Sequence, residues 1–178
     1  LINFSFSEAK QNSPEEFIEN LYKEIKVINL SRIATTMQLK KIKEEIINNV
    51  DFDIVSNFLL GKSAKKVLKE DLQNFKIAYQ NYLGNKYSKL LLGYSKSLQI
   101  LNTENIGKSR FLIRTNAKLN DAKNDIKISY LIVLTDAGYK IIDIIFADGV
   151  SLVITDRNEF LTFLEKGAIK DLIKKLSV

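Results

Sequence analysis

Two periods divide the chain. From Pro14 to about Tyr94 apolar residues recur every three or four positions, the spacing of amphipathic helices; from Ser97 to Ala147 they recur every second position, the spacing of strands. The only proline, Pro14, follows Ser13 and precedes EEFIENLYKEI. Ser as cap, Pro in the first turn and Glu behind it predict a helix start, with Phe17, Leu21, Ile25 and Ile28 on one face. A second helix is expected over Ile33–Asn49, with Met37, Ile42, Ile46 and Ile47 as its stripe. Asp51 is placed to cap a short third helix, FDIVSNFLLG, with Gly61 as its stop. A long fourth, KEDLQNFKIAYQNYLGNKYSKLLLGY, carries Leu72, Phe75, Tyr79, Tyr82, Leu83, Leu90 and Leu91 at helical spacing. Gly84 inside it costs about 1 kcal/mol against Ala, which points to a close contact or a bend.

The period-two region reads as strands SLQIL, SRFLIRTNAKL, IKISYLIVLT and YKIIDIIFA, with turns at NTENIGK, NDAKND and DAG. A closing helix, EFLTFLEKGAIKDLIKKL, follows. Helices first and an antiparallel meander afterwards make the fold class α+β. In SRFLIRTNAKL the alternation is clean: Phe111, Ile113 and Ala117 face one way, Arg110, Arg114 and Lys118 the other, toward water. The next two strands are apolar on both faces, Ile128, Tyr130, Ile132 and Leu134 against Leu131 and Val133, then Ile142, Ile144 and Phe146 against Ile141 and Ile145. A sheet apolar on both sides must be covered twice. Between the last strand and the closing helix lies DGVSLVITDRNEF, whose grease suits a core strand and whose arginine suits a surface loop.

Composition narrows the chemistry. The charge is +6, from 27 basic and 21 acidic residues, which suits an anionic partner. The bases mostly alternate with acids, and the arginines (Arg32, Arg110, Arg114, Arg157) form no block, so nucleic acid is not expected as a partner. Cys and His are absent, which excludes disulfides, thiolate nucleophiles, His-dependent triads and the usual zinc sites. No metal site is expected, because no Asp-rich calcium loop is visible. No apolar run reaches the ~18 residues of a membrane span. The opening LINFSFSEAKQ admits two readings: a short strand, or the tail of a secretory signal with Ser7 and Ala9 at its cleavage site.

Three constellations could carry function, and each has a plain alternative. Asp143, between apolar neighbours, reads as a buried base beside Tyr130 in a small cone-shaped enzyme of the ketosteroid-isomerase type, or as a cap for a neighbouring loop. Phe75, Tyr79, Tyr82 and Tyr87 read as a cavity lining, or as a helix packed on a sheet. The lysines of GKSAKKVLKED read as a phosphate site at a helix N-terminus, or as a solvated helix start.

The segment IIDIIFADGVSLVITDRNEFLTFLEKGAIKDLIKKL resembles the MlaC, or toluene-tolerance, family of periplasmic phospholipid-binding proteins. The matching positions are Tyr139, Lys140, Asp143, Gly149, Val150, Ser151, Leu152, Arg157, Phe160 and Gly167. DFDIVSNFLLGKSAKKVLKEDLQNFKIAYQNYLGNKYSKLL is similar to the family's Leu-Gly segment and its long aromatic helix. The chain departs from the pattern at Tyr139, where the family carries Trp, at Asp156, where it carries Tyr, and at Ala64-Lys65, where it carries an aromatic-basic pair.

The resemblance implies N-terminal helices packed on a curved antiparallel sheet of four or five strands, with a C-terminal helix, in a nuclear-transport-factor-like arrangement around an apolar pocket. Residues 1–13 would be an N-terminal segment and 14–178 the lipid-binding domain. It implies a periplasmic, monomeric, non-enzymatic carrier with phospholipid as cargo and no other cofactor. Its partners would be the substrate-binding subunit of an inner-membrane ABC transporter and an outer-membrane lipoprotein–porin complex. Expected acyl-chain contacts on the helices are Phe58, Phe75, Tyr79, Tyr82 and Leu83. On the strands they are Tyr130, Ile132, Ile142, Ile144 and Phe146, and beyond the last turn Val150, Leu152, Phe160 and Leu164. Val150, Leu152 and Ile154 would wall the mouth, with Ser151 near the headgroup and Arg157 either near it or anchoring the turn.

Overall fold

Helix α1 (Pro14–Leu30) starts on a complete capping box: Ser13 Oγ accepts from Glu16 N–H at 3.1 Å, and Ser13 N–H donates back to the Glu16 carboxylate at 3.2 Å. The computed structural model describes residues 13–93, 97–118, 125–146 and 149–177. The strand and signal readings of LINFSFSEAKQ therefore lie outside the described residues. Helix α2 (Thr35–Asn49) folds back along α1, and α3 (Phe52–Leu60) is capped by Asp51 Oδ1, which accepts from Ile54 N–H at 2.8 Å. A 3₁₀ turn (Gly61–Lys65) leads to the long α4 (Lys69–Leu91). Gly84 is buried in α4, and a Cβ there would lie 2.8 Å from the Lys43 Cγ of α2. The close contact expected at that glycine is the α2–α4 crossing.

Four antiparallel strands follow in sequence order: β1 (Ser97–Gly107), β2 (Arg110–Lys118), β3 (Ile126–Thr135) and β4 (Gly138–Phe146). NTENIG, expected as a turn, is the second half of β1. Its polar residues are tolerated because β1 is an edge strand, and Glu104 pairs with Arg114 at 3.0 Å. The chain reverses at Lys108 and Ser109, both with positive φ (52° and 56°), as a tight hairpin requires. The parity of β2 is as expected, with Ile113 and Ala117 buried and Arg110 and Lys118 exposed.

The parity of β4 is not. Leu131 pairs with Asp143 and Ile132 with Ile141, so Ile142 is an extra residue in the strand. This bulge puts Ile141 on the same face as Ile144 and Phe146, opposite Ile132, Tyr130 and Ile128. The expected grouping of Ile141 with Ile145 assumed an unbroken alternation.

The closing helix also differs. Helix α5 (Leu152–Glu165) begins seven residues before the expected Glu159, with Ser151 Oγ accepting from Ile154 N–H at 3.0 Å. The apolar Leu152-Val153-Ile154 is its first turn. Gly167, at φ 67°, breaks the segment, and α6 (Ile169–Leu176) follows as a separate helix.

Among the described residues burial falls into three clusters. The largest joins α3, α4, α5 and α6 to the outer side of β3 and β4, around Phe52, Leu59, Phe75, Tyr79, Phe160 and Leu172. A second lies between α1 and the sheet, around Ile18, Ile113, Ile132 and Ile141. A third lies among α1, α2 and α4, around Ile28, Ile42 and Ile46. A domain of this size ordinarily has one contiguous core with smaller satellite clusters.

Candidate functional site

A cavity of about 160 Å³ lies where the three clusters meet. Helix α1 supplies Ile18, Leu21, Tyr22 and Ile25; α2 and the link to α3 supply Ile46, Asn49 and Val50; α3 supplies Val55. The last turns of α4 bring Leu83, Tyr87, Leu90 and Leu91, and β1 brings Leu98. The floor is Ile126, Ile128 and Tyr130 of β3 with Ile141 to Ile144 and Phe146 of β4; Leu152 and Val153 of α5 complete it. Leu90 lines the cavity and is 61 % exposed, so it stands at the mouth.

Physical chemistry explains the shape. Alternation and the bulge turn Tyr130, Ile144 and Phe146 to the inner face, but the helices that would fill the space are held off. Large aromatics prop α4 away from α5: Phe75 and Phe160 meet edge to face at 6.3 Å, and Tyr79 and Phe160 at 6.1 Å. Tyr79 then donates to Asp156 Oδ2 at 2.7 Å across the same gap. Residues lining such a hollow forgo the contacts that a filled interior would give them.

The polar groups at the cavity are neutral or already engaged. Burial, reinforced by Tyr22, pushes the Tyr130 hydroxyl up to about 12, and burial chiefly pushes Tyr87 to about 12. Asp143 Oδ1 accepts from Ile144 N–H at 2.8 Å and Val153 N–H at 3.2 Å, while Ser151 Oγ donates to Oδ2 at 2.5 Å. It thus fastens the start of α5 to β4, which is the capping role expected as one reading. Because Tyr130 pairs with Ile144, Asp143 points to the opposite face from Tyr130. The pairing of Asp143 as base with Tyr130 is corrected by that geometry.

Among the residues expected at an acyl chain, the cavity brings together Leu83, Tyr130, Ile142, Ile144, Phe146 and Leu152. The others lie elsewhere. Phe75, Tyr79 and Phe160 are fully buried in the largest cluster, with Tyr82 and Leu164 packed against it. Ile132 is buried under α1. Phe58 is 42 % exposed beneath the Arg157 guanidinium, which lies 4.8 Å above its ring. Arg157 thereby ties α5 to α3 and lies against Gly61, whose φ of 52° and missing Cβ leave it room. It does not border the cavity, and Ser151 is the buried cap of α5. Val150 and Ile154 are half exposed and do not line the cavity, unlike Leu152 between them.

Sequence reasoning missed the α1 wall and the Leu90-Leu91 rim. The signal was present in Ile18, Leu21, Tyr22 and Ile25, a stripe at helical spacing wider than one packed face needs. Among the described residues no group of acidic side chains is arranged to hold a metal, and no helix is long and apolar enough to cross a membrane.

Fold and cavity together define an α+β protein whose buried clusters border an apolar hollow. The chain belongs to the MlaC protein family, which it matches over residues 15–178. Among solved structures, a phospholipid-binding protein from Ralstonia solanacearum, in complex with a phospholipid, is similar with a TM-score of 0.73 at 15% identity, over 91% of this chain and 91% of that one. No curated protein matches the chain.

Proposed function

We propose that this chain is a periplasmic phospholipid carrier. It holds acyl chains in the cavity and passes lipid between the substrate-binding subunit of an inner-membrane ABC transporter and an outer-membrane lipoprotein–porin complex. The observation that carries the reading is the apolar hollow where three buried clusters meet, left unfilled by the chain's own side chains. Membership of the MlaC family and the phospholipid bound by the similar solved protein support it.

Magnitudes decide how the hollow is used. Each CH₂ taken from water is worth about 0.8 kcal/mol, so two ordinary acyl chains need roughly 20 kcal/mol of apolar contact, more than a surface patch offers. A cavity of about 160 Å³ is near the size that holds one benzene-sized group. Loading a whole phospholipid therefore needs the walls of the cavity to move apart. The isomerase alternative gains nothing here, since the Asp143 carboxylate is taken up by Ser151 and two backbone amides.

Organic extraction and mass spectrometry of the protein purified from a Gram-negative host test the reading. Wild type is expected to carry about one phospholipid per chain. Ile144→Arg, which sets a cation on the cavity floor, is expected to carry almost none while keeping its circular dichroism. Wild-type protein without lipid, even after incubation with phospholipid, overturns the reading.

A further inference from the structure

The end of the molecule beside the cavity mouth carries an unusual surface. Asn29 of α1 reaches α4: its Nδ2 donates to the Leu91 carbonyl at 2.8 Å, and its Oδ1 accepts from Gly93 N–H at 2.9 Å. Gln38, in the first turn of α2, donates to the carbonyls of Ile28, Asn29 and Ser31 at 3.1–3.2 Å. The end of α1, the start of α2 and the end of α4 are thus bonded into one tip. On it Val27 (64 % exposed), Leu30 (66 %), Ile33, Met37 and Leu90 all face water.

Along the chain the charges next to these side chains are basic, with Glu24 and Glu44 at the borders. From Lys26 to Lys43 the chain has Lys26, Arg32, Lys40, Lys41 and Lys43 and no acid, and from Asn85 to Gly93 it has Lys86 and Lys89 and no acid. Lys40 pairs with Glu44, from the next turn of α2, in an exposed contact at 3.9 Å, and such a pair is weak. Lys86 turns toward Tyr82. Arg32, Lys41 and Lys89 are exposed.

Apolar side chains ringed by bases are the pattern of a surface that rests on anionic lipid headgroups, the bases meeting the charge and the apolar tips entering the acyl boundary. Leu90 belongs both to this surface and to the cavity mouth. We infer that the tip formed by α1, α2 and α4 docks transiently on the surface of an anionic phospholipid bilayer, setting the mouth of the cavity against the lipid. The inference rests on the reading of the cavity as a lipid site, but the two are separable by experiment.

The test is flotation of the purified chain with vesicles of phosphatidylglycerol and phosphatidylethanolamine, and with vesicles of phosphatidylcholine alone. Wild type is expected to float with the anionic vesicles at low salt and to leave them as salt rises. Each cation near the surface is worth about fivefold, so Lys41→Gln with Lys89→Gln weakens binding about 25-fold. Leu30→Asp with Met37→Asp abolishes it, with helicity and extracted lipid unchanged because neither residue lines the cavity. Equal flotation with both vesicle types, or variants that float like wild type, overturns the inference. So does wild type that carries lipid but ignores both vesicles, in which case the tip belongs to an acidic protein surface and the carrier reading stands. Wild type that floats but never carries lipid sinks the carrier reading alone.

Discussion

Asp156 is a buried carboxylate on the inner side of α5, where burial first, then Glu159 and Asp143, raise its pKa, while the Tyr79 hydroxyl and Lys86, at 4.0 Å, hold it down. The net direction is up from 3.8. An acid raised in the folded state favours folding when protonated, so its contribution is full below its ordinary value and is lost as pH rises through the folded one. Asp156→Asn keeps an acceptor for Tyr79 without the charge. Urea unfolding between pH 4 and pH 8 should show wild type losing ground to this variant as pH rises; parallel curves across that window would contradict the assignment. Asp156→Ala leaves the Tyr79 hydroxyl buried without its acceptor and should cost about 1–3 kcal/mol at pH 4, and less as pH rises. The sequence marked Asp156 only as a departure from the family pattern, because a carboxylate between Thr155 and Arg157 reads as a solvent residue until its helix is placed.

At the scale of elements, the α2–α4 crossing turns on Gly84 and the stem of Lys43. Gly84→Ala alone should lower stability, since the Cβ meets the rooted part of that stem. In a Lys43→Ala background the same change should raise stability by about 1 kcal/mol, the helix-propensity gain. A thermal-denaturation double-mutant cycle reads the sign change, and two effects of like sign would refute the contact. Gly84 was legible because an interior helical glycine needs a reason. The start of α5 was not: Val150 to Ile154 is rich in β-branched residues that suit a strand, and the deciding bonds run from Ser151 and Val153 to Asp143 on another element. The β4 bulge was hidden for a related reason. In a run apolar on both faces, an extra residue leaves no break in the pattern, so parity there is set by the pairing with β3 and by the bond from Asp51 N–H to the Ile141 carbonyl.

For the whole molecule, the class α+β, the helix order and the meander followed from periodicity, and the doubly apolar strands followed from alternation. What periodicity could not say is where packing stops. Phe75, Tyr79 and Phe160 fill their space completely, whereas Tyr130 and Ile144, equally apolar in sequence, border a void. The difference lies in helix spacing, which large side chains elsewhere dictate. The chain contains no tryptophan, so a single one reports without background. Leu83→Trp places it in the cavity wall, and Ile77→Trp, half exposed on the same helix, serves as the control. Fluorescence with phospholipid brominated along its acyl chains is expected to quench the first strongly and the second hardly at all. Equal quenching of both, or none of either, would contradict the claim that acyl chains occupy the space between the sheet and its helices.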